Sequence, residues 1–243
     1  MHRQTSRELW SREVVHEQAG RQRRDLGGHV QQALLYWLHV ANARGRYSRG
    51  SAETLLAEDL NILFRGGTPS DLLEPIRRLL GRLDVAPSDL AGRPSRSPLF
   101  PLAFLALKAR GAKDWETGLG ISLVTRGRQH VVQYHHIFPK AVLREADYSP
   151  GEINEIANLA FIVGRTNQRI GRKAPTEYFP EIVNRRGREA LESQLIPQDP
   201  RLLRVENYRD FLEARRSLLA EAINAHITAT AKIDRSSLQN ESR

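Results

Sequence analysis

Apolar residues recur at helical spacing through nearly the whole of this 243-residue chain, and a β-type pattern replaces that spacing in only two short places. The first, Gln129 to Ile137, holds His130-Val131-Val132-Gln133-Tyr134; the second is Leu159 to Val163. Two runs of this length make a hairpin, not a β domain. The chain is therefore expected to be mainly α, with a small strand–strand–helix insert inside an otherwise helical protein.

Helices are expected at His29–Ala43, ended by Gly45, and from around Ser51, with Glu53–Phe64 presenting Leu55, Leu56, Leu60 and Leu63 on an apolar face. A turn at Thr68-Pro69-Ser70-Asp71 caps a third helix, Leu72–Leu83. Residues 85–98, with Pro87, Gly92, Pro94 and Pro98, suggest a loop, and Leu99–Arg110 a further helix. Between the β-type runs lie short helices at Pro139–Glu145 and from Ser149, where Pro150 stands at the first helical position and Glu152 completes a capping box. Another begins near Thr166, and Pro175–Val183 begins a further turn. A long amphipathic helix, Val205–Thr228, carries the stripe Tyr208, Leu212, Arg215, Leu219 and Ala222. This divides the chain into a polar leader (1–28), an N-terminal helical region (29–124), a core holding both β runs (125–185), and a C-terminal helical region (186–243) expected to pack on the N-terminal helices.

The formal net charge is +9, an excess that attracts a polyanion. There is no cysteine, which excludes disulfides and any thiolate zinc site and leaves a metal to His, Asn, Asp or Glu. No run approaches the ~20 apolar residues of a membrane span, and the charged first residues lack the apolar centre of a signal peptide. The expected compartment is the cytoplasm.

Chemistry-bearing residues concentrate around the β runs. Tyr134-His135-His136-Ile137-Phe138-Pro139-Lys140 ends the first, Asn158 precedes the second, and Asn167 opens the helix after it. Adjacent histidines on a strand project to opposite sides, so one can hold a metal while the other faces a water. A hairpin folded onto a helix can bring His135 and Asn167 to one ion.

This arrangement resembles the HNH, or ββα-metal, nuclease motif. Within that superfamily it looks like the C-terminal nuclease domain of GmrSD-type modification-dependent restriction proteins. Further blocks carry the likeness: Gly45-Arg46-Tyr47-Ser48 with Glu53-Thr54 and Asp59-Leu60, and Gly111-Ala112-Lys113-Asp114-Trp115 with Thr117-Gly118 and Ile121-Ser122. Lys173 through Phe179, Ile196-Pro197, Tyr208 through Leu212, and Arg215-Arg216 continue it, so that the similarity runs over roughly residues 30 to 227. The resemblance implies a metal-dependent DNA endonuclease, an effector of a bacterial anti-phage restriction system. His135 and Asn167 would be metal ligands, His136 the general base, and Asn158 the residue that orients His136 or its loop. Arg169, Arg172 and Lys173 would hold phosphates. The neutral Asn ligand favours Mg²⁺ or Mn²⁺ over zinc. The expected partners are DNA and a nucleotide-hydrolysing sensor domain or subunit, since no Gly-rich phosphate loop is found.

Blander readings stand beside these. Asn158 and Asn167 could cap turns, Arg172 and Lys173 could be solvated surface charges, Tyr134 reads as packing, and His130 and His226 as non-catalytic. The aromatic and leucine stripes read as core rather than base-stacking platforms, and Gly45–Ser48 as a buried polar turn, with a DNA-contacting Arg46 as the alternative. The rival functions are a catalytically inactive basic DNA-binding module and an HNH-type ribonuclease.

Overall fold

The computed structural model describes residues 27–48, 50–122 and 132–231, and their contacts divide the chain into two units. Across the described residues the protein is mainly helical with one two-stranded antiparallel sheet. The expected β character of 129–131 lies outside the described residues.

The first unit comprises Met1–Ala41, Arg46–Arg82 and Ile227–Arg243. Its first helix, α1, spans 27–43, the last two residues of which belong to the second unit. Ser51 starts α2 (Ala52–Phe64) by accepting the Thr54 N–H at 3.3 Å, with Glu53 at the positive end of the helix dipole. The residue that α2 buries is Asp59, whereas Leu56 and Leu60 of the expected apolar face are exposed. The reason is an ion pair. Arg46, in a 3₁₀ turn at Arg46–Ser48, donates from Nε and from one terminal nitrogen to the Asp59 carboxylate, both at 2.7 Å, and Tyr47 donates to the same group at 2.6 Å. Of the expected buried polar turn at Gly45–Ser48 only Arg46 is buried, while Ser48 is exposed, and the paired Arg46 is not presented to a ligand. The helix expected at Leu72–Leu83 is a 3₁₀ turn (Asp71–Leu73) followed by α3 (Glu74–Leu80). It stops early because Gly81 adopts the left-handed conformation, φ 73°, that closes helix C-termini.

The second unit comprises Asn42–Gly45 and Leu83–His226. The stretch expected as loop at 85–98 contains a single helical turn, α4 (Pro87–Leu90). There Asp89 accepts from the Ala86 N–H at 2.9 Å and from Arg44 at 2.6 Å. Helix α5 (Leu99–Ala109) buries Leu99, Leu102, Ala103, Phe104, Ala106 and Leu107. Strand β1 (Val132–His136) pairs antiparallel with β2 (Leu159–Val163), with Tyr134 opposite Phe161 and His135 opposite Ala160. Two short helices lie between the strands, α6 (Lys140–Glu145) and α7 (Pro150–Ile153). The α7 start is the expected capping box: Ser149 accepts from Glu152 N, and the Glu152 side chain accepts from Ser149 N at 2.9 Å. Helix α8 (Gly164–Ile170) follows β2 directly, two residues earlier than expected, and packs on both strands. Then come α9 (Pro175–Arg186), α10 (Glu189–Glu192), which the sequence did not suggest, and α11 (Tyr208–Thr230).

Every residue of β2 is buried, although among the described residues only β1 pairs with it. Its outer edge is satisfied by side chains. The Gln194 amide accepts from Phe161 N at 3.2 Å and donates back to Phe161 O, so it stands in for a third strand. Asp114 accepts from Val163 N at 2.8 Å, and Arg215 donates to Leu159 O at 2.8 Å. Positions 159, 161 and 163 turn their backbone groups to one edge, and an unpaired buried group there would cost as much as a lost hydrogen bond. Arg215, fully buried in the α11 stripe, also donates to the carbonyls of Ala157, Gln194 and Leu195. Burial holds its pKa down to about 9. Beside it Arg216 grips the buried carboxylate of Glu155 with two bonds of 2.6 and 2.7 Å. The 125–185 segment is therefore bound, in its described part, to residues on both sides of it in sequence.

Candidate active site

Strand alternation sorts the site. His135 lies on the face covered by α8, where the Trp115 and Tyr178 rings meet its imidazole edge-on at 6.2 and 6.0 Å. It is 5 % exposed. Its Nδ1 stands 2.7 Å from Oδ1 of Asn167, in the middle of α8, and the Asn167 amide nitrogen donates to Gln133 Oε1 at 3.2 Å. Asn167 is thus held by the residue two places before His135 on the same strand. Thr166, its neighbour, is buried and bonded to Asp114 at 2.9 Å, which sets the phase of α8.

His136, the last residue of β1, falls on the other side with Tyr134, ring centroids 6.1 Å apart. Burial, with a smaller push from the Lys140 cation, holds its pKa down to about 4, against a hydrogen bond to Asn154 that works the other way. The imidazole is therefore neutral near pH 7, and burial weakens it as a base. The Nε2 atoms of both His135 and His136 are buried and have no partner among the described residues. Neither nitrogen is satisfied by the described part of the protein itself, although they lie on opposite faces of β1.

Asn158 is completely buried at the start of β2. Its Oδ1 accepts from Phe138 N at 2.9 Å, and its Nδ2 donates to the carbonyls of Phe138 at 3.2 Å and Ile153 at 3.0 Å. Its own carbonyl accepts from Ile137 N at 2.8 Å. Asn158 therefore holds the turn directly after His136, acting on the loop and not on the imidazole.

A cavity of about 320 Å³ opens over this group, lined by His135, His136 and Asn167 with the cations Lys140, Arg144 and Arg172. Of the three expected phosphate-binding residues, Arg172 alone reaches it. Arg169 pairs with Glu116 at 2.7 Å and Lys173 with Glu181 at 2.8 Å, around a separate hollow that includes Trp115 and Arg185. Lys140 and Arg144 take their place, four residues apart on one face of α6. Sequence reasoning assigned neither of them a role, although an i, i+4 basic pair straight after the histidines was a usable signal.

The donors present suit a hard or borderline divalent cation. His135 Nδ1 and Asn167 Oδ1 stand 2.7 Å apart, a hydrogen bond whose proton an ion held by these two side chains would replace. Two neutral side chains of this kind would suit an ion such as Mg²⁺ that keeps several waters when bound. Among the described residues no group of three or more His, Asp or Glu side chains is gathered to hold a metal, so a closed structural site is not built.

No family model matches the chain, and no solved structure matches it. An uncharacterized protein of Methanocaldococcus jannaschii is 28 % identical over 114 residues, covering 37 % of this chain and 20 % of the relative. The chain thus spans about a fifth of that relative's length, and the relative's name carries no activity.

Proposed function

We propose that this protein is a metal-dependent endonuclease of the HNH, or ββα-metal, kind that cuts DNA phosphodiester bonds. The observation that carries the reading is the meeting of His135 Nδ1 and Asn167 Oδ1 at 2.7 Å beneath a basic cavity that His136 also lines. A strand–strand–helix order supplies that meeting.

His135 and Asn167 would hold Mg²⁺ or Mn²⁺. Such an ion, when bound, supplies Lewis-acid stabilisation of charge on the phosphoryl oxygens and the leaving oxygen. Lys140, Arg144 and Arg172 hold the phosphates of the strand by charge-assisted hydrogen bonds. Neutral His136 takes a proton from a water whose oxygen bonds to phosphorus while the bond to the leaving oxygen breaks. Asn158 keeps the 137–138 turn, and hence the His136 backbone, in place. On the resemblance stated above, the protein serves as the effector of a bacterial restriction system, and its cutting is governed by a nucleotide-hydrolysing, modification-sensing partner.

The test is nicking of supercoiled plasmid by purified protein with Mg²⁺ or Mn²⁺, with and without EDTA. His136→Ala is expected to lower the rate by about 10²- to 10⁴-fold, the share of a positioned general base. Equal cutting by the variant and the parent overturns the assignment. Metal-independent binding of plasmid with no nicking favours the rival reading, a basic DNA-binding module. Cutting confined to an RNA substrate moves the activity to a ribonuclease of the same mechanism.

A further inference from the structure

A second and larger cavity, about 670 Å³, adjoins the basic one and shares Tyr134, His136 and Lys140 with it. Its character is different. Phe104 and Phe161, 5.0 Å apart and nearly perpendicular, form a buried floor, and Phe100 packs against Phe161 at 5.3 Å and edge-on to Tyr134 at 5.7 Å. Tyr134 was expected to be packing, yet it is 46 % exposed at the cavity.

We infer that this aromatic cavity is a base-binding pocket, which takes an unpaired nucleobase of the strand whose phosphate lies in the adjoining basic cavity; the inference rests on the nuclease reading above. Three observations on the molecule converge. The two cavities are continuous in their lining, and in a nucleotide the base stands one sugar away from its phosphate, so a strand held by Lys140 has a base to place next door. The walls are π-faces, which bind any base by stacking and exclude its charged backbone. The volume falls in the range of sites that enclose small organic groups.

Equilibrium binding in EDTA, where metal-dependent cutting is absent, tests this directly. A short single-stranded DNA is compared with an abasic strand of equal length and equal phosphate count, for the wild-type protein, Tyr134→Ala and Tyr134→Phe. The base-bearing strand is expected to bind about tenfold more tightly than the abasic one, the scale of a lost stacking contact. Tyr134→Ala should erase that preference, and Tyr134→Phe should keep it. Equal affinity for both strands, or a preference that survives Tyr134→Ala, overturns the pocket. Repeating the comparison with duplexes that carry or lack one base identifies the source: a preference there means extrusion from the helix, and its restriction to single strands means a base already unpaired. The outcome is separable from the nuclease reading. Nicking without base preference removes the pocket alone, and base preference without nicking removes the catalytic reading alone.

Discussion

Asn158 shows how a single buried side chain can serve a site it does not touch. Its amide uses both Nδ2 protons and its Oδ1 on backbone groups of Phe138 and Ile153. Truncation would leave those groups buried and unpaired. Asn158→Ala is expected to lower the unfolding free energy by about 2–4 kcal/mol, as read by urea denaturation, and to reduce nicking further than the loss of folded protein explains. Asn158→Ala with wild-type stability would contradict the hydrogen-bond account. Arg169 and Lys173 make the opposite case. Each is exposed and already paired with a carboxylate, away from the cavity. Arg169→Gln and Lys173→Gln should change nicking by no more than about twofold, because exposed ion pairs contribute little. A loss comparable to that of Arg172→Gln would show that the pairs open to receive the strand.

At the scale of elements, the two-stranded sheet depends on side chains that finish its edge. Gln194 and Asp114 occupy positions on β2 that a third strand would otherwise fill, and Arg215 ties the strand's start to the 194–195 turn. Leu195 sits in the left-handed region at φ 57°, a conformation that is uncommon for a non-glycine residue. Replacing Gln194 by Leu keeps an apolar fit but orphans both backbone groups of Phe161, at a cost of about 2–4 kcal/mol. Hydrogen exchange should report it locally: the Phe161 amide should exchange faster in Gln194→Leu, while amides of α2 in the other unit stay as they are. Uniform acceleration across both units would mean that the edge is not a local lock.

For the molecule as a whole, the net charge of +9 attracts polyanions in general, and under the proposed function Lys140, Arg144 and Arg172 around one cavity would fix where a strand sits. Affinity for DNA should fall steeply with salt. Removing one contacting cation should reduce the slope of log Kd against log salt by about 1. Lys140→Gln and Arg144→Gln are expected to do so, and to weaken binding alike across unrelated sequences. An unchanged slope in both would place the strand elsewhere on the surface.

Much of this was legible in the residues themselves, wherever the deciding interaction is local. The start of α2 at Ser51, the box at Ser149–Glu152 and the limits of β2 depend on neighbours within about one helical turn. The His135–Asn167 meeting was also legible, because a hairpin followed at once by a helix leaves few other arrangements. The choice between Arg169 and Arg172 was not. It depends on the phase of α8, which is set by the distant Asp114 through Thr166 and Val163. Gln194 and Arg215 gave no sign in sequence of completing the edge of β2, since the backbone groups they satisfy become a problem only once the strand is buried. The open aromatic wall at Tyr134 is of the same kind: a period-2 pattern assigns a residue to a face, and tertiary packing decides whether that face is covered.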